Sequence, residues 1–218
     1  SQITQGLMQL LLVIYALVYV IQWIVTRGND PAERFYETFH VFGQTYIVFF
    51  SLICVHLNWA PRRLMFAQEL CRPITRRDFV EELFSTIRHQ VLWLPLAVVG
   101  ISATFLFCRF GLNVEIARLW IAELTYIAGV SVFVYGCGMY SLSLHRDWVM
   151  GLVWLGAFLT IVASAVLLEV SSHDVAAQLR IAPATLAYLG ILLLACGAAL
   201  TVLAKARWAQ LEFGLLRR

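Results

Sequence analysis

Few residues in this chain have types and spacing suited to chemistry. Of five histidines in 218 residues, His40 and His56 fall in one apolar run and would stand about 24 Å apart along a helix. That places them near opposite faces of a membrane. His89, His145 and His173 fall in loops or at helix ends. A transmembrane haem needs imidazoles projecting from facing helices at matched depth, and only His56 with His145 approaches that arrangement. The five cysteines, Cys54, Cys71, Cys108, Cys137 and Cys196, show no Cys-x-x-Cys and no pairing rhythm. They read as small apolar residues, and no metal site is expected. Gly-x-x-x-x-Gly-Lys-(Ser/Thr), Gly-x-Ser-x-Gly and His-Glu-x-x-His are all missing. The chain is therefore expected to have no catalytic residues, no enzyme activity and no cofactor of its own.

Glu123, Ser131 and Tyr135 share a helix face by spacing. A carboxylate inside a membrane helix is a functional candidate by default. With Gln44 and Thr45 these residues form a candidate translocation path. If the helix begins nearer Trp120, Glu123 stands at the outer interface instead. Hydroxyls such as Thr160 and Ser164 more often bond to backbone or to a neighbouring helix. Gly129, Gly136, Gly138, Ala195 and Ala199 suggest close helix packing.

The elements that hold these residues follow from hydropathy. Hydrophobic residues make up 61% of the chain and charged residues 13%, about half the roughly 25% usual in soluble proteins. A net charge of +3 is too mild to suggest a nucleic-acid surface. Six apolar runs, about 7–26, 38–60, 91–108, 116–144, 148–169 and 183–204, are near or above the length that crosses a hydrocarbon core of about 30 Å. The first lacks a basic leader and is too long for a secretory signal. Residues 1–218 thus read as one all-α transmembrane domain, a six-helix bundle in a multi-pass membrane protein.

Basic residues set the orientation. Eleven of the sixteen lie in 61–90, at 145–147 and from 205 onward, so these segments and both termini are expected in the cytoplasm. Trp23, Trp59, Trp93, Trp120, Trp148 and Trp208 fall near span ends, where indole rings favour the headgroup level.

The inner segment 61–90 predicts two short helices broken at Pro73. Thr75 with Asp78 is a variant capping box. After it, Phe79, Val80, Leu83, Phe84 and Ile87 recur at helical spacing, giving an amphipathic helix that leads into the third span. Such a helix either lies in the inner interface or docks a cytoplasmic partner.

Leu70-Cys71-Arg72-Pro73-Ile74-Thr75-Arg76-Arg77-Asp78-Phe79, between a second and a third span, resembles the Leu-x-x-Pro-(Val/Ile)-(Ser/Thr)-Arg-Arg motif of permease subunits of type-2 ATP-binding-cassette transporters. The specific match covers about ten residues, and six spans with both ends inside extend it over the chain. Many members carry a Gly-Thr pair before the motif and Gly-Lys soon after it. This chain has Met65-Phe66-Ala67-Gln68-Glu69 and Glu81-Glu82 at those places.

The resemblance implies a permease in the cell (inner or plasma) membrane, one half of a homodimer or heterodimer. It would move a substrate with energy from cytoplasmic ATP-binding-cassette ATPase subunits, which would hold ATP and Mg. Arg72, Pro73, Thr75, Arg76, Arg77, Asp78 and Phe79 would form the coupling element, the two arginines facing partner carboxylates. The alternatives are a membrane anchor, or a haem- or quinone-binding subunit of a redox complex.

Overall fold

The computed structural model of the chain describes residues 75–110, 114–144, 147–170 and 175–210, with isolated helical positions between 6 and 21. Among the described residues every regular element is a helix. They are α1 (Arg76–Phe110), α2 (Val114–Leu142), α3 (Asp147–Val170) and α4 (Val175–Gln210). The expected spans 91–108, 116–144, 148–169 and 183–204 each coincide with one of them. The expected span 38–60 and the break at Pro73 lie outside the described residues.

α1 begins where the capping residues place it. Thr75 donates its hydroxyl to Asp78 Oδ2 at 2.5 Å, and the Asp78 N–H donates to Thr75 Oγ1 at 3.2 Å. The Phe79 N–H closes the first helical turn on the Thr75 carbonyl at 3.0 Å. Asp78 also sets a negative charge in the first turn, where the helix dipole favours it. From there the helix runs 35 residues, about 52 Å at 1.5 Å per residue. The amphipathic stretch and the third apolar run are therefore one continuous helix, with Pro95 inside it. The join reads Arg88-His89-Gln90-Val91, and nothing in it stops a helix.

The tightest packing is between α2 and α4. Gly129 of α2 faces Gly190 of α4, and Gly136 faces Gly197. A Cβ at Gly136 would lie 2.5 Å from the Gly197 carbonyl oxygen, and one at Gly197 would lie 2.5 Å from the backbone nitrogen of Phe133. At Gly190 a Cβ would meet the Thr125 carbonyl at 2.7 Å. Both pairs advance together along the sequence, so the two helices run parallel, with α3 as the return between them. The seven-residue spacing keeps the glycines on one seam, because an α-helix drifts only about 20° per heptad.

Leu186, Leu193, Ala204 and Trp208 continue the α4 side of this seam, each at most 4% exposed. α2 is the inner helix, with 72% of Trp120–Leu142 buried, against 22% for Pro183–Gln210 of α4. These two stretches are long and apolar enough to cross a membrane. In α3 the apolar stretch Gly151–Thr160 is shorter. α2 closes in a tight turn: Ser143 and Leu144 N–H donate to the Tyr140 and Ser141 carbonyls, both at 3.0 Å. The Ser141 and Ser143 hydroxyls occupy the Gly138 and Tyr140 carbonyls, so the last oxygens of the helix are served.

Of the small residues singled out in the sequence, Gly129 and Gly136 pack as their spacing suggests. Ala195 and Ala199 are exposed, and their expected role falls to Gly190 and Gly197. Gly197→Ala sets a methyl against backbone that has no rotamer to change. Destabilisation of about 1–3 kcal/mol is expected, the usual range for overpacking. Gly151→Ala meets nothing within 4 Å, and should gain up to about 1 kcal/mol from helix propensity. Unfolding midpoints of both variants in one detergent check the pair of outcomes.

Candidate functional site

The first four turns of α1 carry an apolar stripe that the bundle covers completely. Phe79, Val80, Leu83, Phe84 and Ile87 are all at most 8% exposed, while Arg77, Asp78, Glu81, Glu82, Ser85, Arg88 and His89 face outward. Full burial of each large side chain is worth about 1.5–3 kcal/mol, so the stripe anchors this end of the helix. Among the described residues, α2 and α4 of the same chain pack against it.

Phe84 is the meeting point of three helices. Its ring stands edge-on to Tyr135 of α2, with centroids 6.4 Å apart and planes at 88°. The Tyr135 hydroxyl donates to the Phe84 carbonyl at 2.9 Å. Lys205 of α4 sets its ammonium 5.7 Å from the centre of the same ring, within cation–π range. One helical turn away, the Trp208 indole N–H donates to the Met139 carbonyl at 3.2 Å. Arg207 lies 5.9 Å from the ring centre of Tyr140.

The residues expected from the resemblance to couple to a partner divide into separate local roles. Arg72 and Pro73 lie outside the described residues. Arg76 opens the helix, and Thr75 and Asp78 are occupied with each other in the cap. Phe79 is 8% exposed and belongs to the anchor. Arg77 is the cation presented outward, with its side chain 87% exposed and Nε 3.6 Å from Glu81. An exposed i,i+4 pair of this kind contributes little, which leaves the guanidinium free to exchange partners.

The candidate path residues of α2 are each buried within the bundle. Glu123 and Ser131 are each 1% exposed, and Tyr135 is 5% exposed. Glu123 stands nine residues after the start of α2, within packed protein and away from the helix end. The Ser131 hydroxyl donates to the Ile127 carbonyl at 2.7 Å, as Thr160 does to Gly156 at 2.8 Å. Both bond back to the helix carbonyl four residues earlier, Ser131 in the interior and Thr160 on the exposed side of α3. Gln44, Thr45, His56 and His145 lie outside the described residues. His89 is exposed on α1.

Trp208 stands near the end of α4, as its place at a span end suggests, and its ring is fully buried within the bundle, which sequence reasoning did not foresee. The signal was present in the seven-residue series Gly190, Gly197 and Ala204, which Trp208 follows one turn later. Trp93 and Trp148 do lie at the surface, 58% and 64% exposed.

Tyr135→Phe removes one donor from a carbonyl that helical geometry also serves through the Arg88 N–H. The expected loss is about 1 kcal/mol, typical of a single hydrogen bond. Phe84→Ala empties the meeting point of the three helices and should cost about 3–5 kcal/mol. Reversible unfolding of the two variants under identical conditions checks the difference between them.

Compared with known proteins, the chain matches no family model, no curated protein and no solved structure.

Proposed function

We propose that this chain is the membrane-spanning subunit of a two-component transporter, with ATP hydrolysed by a separate cytoplasmic chain. In this reading all six apolar runs cross the membrane and both termini face the cytoplasm. The subunit pairs with a second permease, and an ATPase of the ATP-binding-cassette type docks on the start of α1. The observation that carries the reading is α1 itself. A capped end that displays Arg77 continues, without a break, through a buried apolar anchor into the third apolar run. Force applied at the cap would therefore reach the span along one helix, whose hydrogen-bond ladder lacks a single bond at Pro95.

The membrane part of the reading is supported by faces that protein leaves uncovered. Trp148, Leu152, Leu155 and Leu159 of α3 are 53–64% exposed, and Tyr188, Ile191 and Val202 of α4 are 60–70% exposed. Contiguous apolar surface on this scale calls for lipid or protein against it. The transport part is supported by the resemblance of residues 70–79 to the permease motif.

Ser85 is exposed on α1 and suits a labelling test of orientation. Ser85→Cys, in a background without the native cysteines, should resist an impermeant thiol reagent outside intact cells and react after permeabilisation. Labelling in intact cells would reverse the orientation.

Arg76→Glu combined with Arg77→Glu should leave insertion and dimerisation intact and abolish recovery of the ATPase. Breaking a desolvated charge pair costs about 2–5 kcal/mol, which is tenfold to several thousandfold in affinity. Pull-down of the ATPase from the same membranes at fixed salt checks it. Equal recovery by wild type and variant would remove the coupling role from this segment.

A further inference from the structure

The end of the bundle where α1 begins and α4 finishes carries cations that no carboxylate among the described residues neutralises. Arg88 and Lys205 are exposed, and neither is ion-paired with a carboxylate among the described residues. Glu81, two turns before Arg88 on α1, lies 3.6 Å from Arg77. Lys205 lies over the Phe84 ring, and Arg88 follows Phe84 by one helical turn on α1. Lys205 is thus set at Phe84 by its ring contact, and Arg88 by its place one turn further along α1.

Below them lies an apolar strip of matching length. Reading back along α4 from Lys205, Val202, Ala198, Ala195 and Ile191 share a face by i,i+3 and i,i+4 steps, and all four are exposed. Alanine at 195 and 198 leaves the strip shallow between its larger ends. From Ile191 to Val202 the rise is about 16 Å, close to one leaflet of a hydrocarbon core of about 30 Å. A paired positive charge above an apolar strip one leaflet deep describes the complement of an anionic amphiphile.

We propose that Arg88 and Lys205 bind the headgroup phosphate of an anionic phospholipid whose acyl chain lies along the Val202–Ile191 strip of α4. The proposal rests on the membrane reading above and is independent of the ATPase partner. Arg207 serves as an internal comparison. It is exposed like Lys205 but lies two residues on, about 200° around the helix, over Tyr140 and away from the strip.

The test uses the purified full chain in mixed micelles with phosphatidylglycerol or phosphatidylcholine, and reads retained lipid by native mass spectrometry. Wild type should retain phosphatidylglycerol in preference. Each interfacial cation is worth about 1 kcal/mol, so Arg88→Gln with Lys205→Gln should weaken retention by about thirtyfold. Lys205→Arg should keep it, and Arg207→Gln should change it by no more than about twofold. Equal loss in Arg207→Gln would mean unspecific attraction and would overturn the site, as would wild-type indifference between the two lipids. Inorganic phosphate displacing the lipid at millimolar concentration would identify a free-anion site and overturn the lipid assignment. Alkaline carbonate extraction of the chain from its native membranes runs alongside. Release by carbonate would sink the membrane reading and this proposal together, whereas a retained chain without lipid preference would sink the proposal alone.

Discussion

Backbone against backbone, without intervening side chains, is the contact on which the described structure depends. Where Gly129 meets Gly190 and Gly136 meets Gly197, α2 and α4 approach more closely than any helix pair separated by side chains. Interiors gain cohesion from many weak atom pairs at optimal distance, and close approach also brings Cα–H groups within reach of facing carbonyls. The helices that share this seam run parallel, so α3 must carry the chain back between them. The position of every other described helix follows from where that pair leaves room.

α1 is attached to this pair at its amphipathic end, chiefly through Phe84. The ring sits against Tyr135 on one helix and beneath Lys205 on the other, so a single residue reads the position of both. A polar contact (the Tyr135 hydroxyl on the Phe84 carbonyl) adds direction to what is otherwise non-directional burial. The outward side of the same four turns keeps its charges in solvent. Anchor and display are thus two faces of one short stretch, separated by helical periodicity alone.

Much of this was legible in the residues. Thr75 and Asp78 announced the helix start, because a hydroxyl and a carboxylate three residues apart answer the orphan amides of a first turn. The stripe from Phe79 to Ile87 announced its buried face, since a 3.6-residue period leaves little choice of side. What the stripe would pack against was not legible, because periodicity says which residues are covered and is silent on the cover. The continuity of α1 was hidden by hydropathy, which changes at residue 91 although the backbone does not. Glu123 was ambiguous for a related reason. Its depth depended on where α2 starts, and a start is set by a cap that Val114-Glu115 does not advertise. The glycine partners on α4 escaped notice because Ala195 and Ala199 offered a competing small-residue pattern, and only three-dimensional packing separates the two.

The facing glycines have a consequence for how the sequence can drift. In most packed cores a residue that grows can be accommodated by a neighbour that shrinks, so substitutions travel in compensating pairs. At Gly129, Gly136, Gly190 and Gly197 that route is closed, because each partner is already the smallest residue available. A methyl gained on either helix can be answered only by moving a helix, and α2 packs against each of the other three described helices. Lineages descending from this chain should therefore hold these four positions while the outward faces of α3 and α4 exchange one apolar residue for another. Neighbouring codons would carry a record of neutral change, and the seam would carry none.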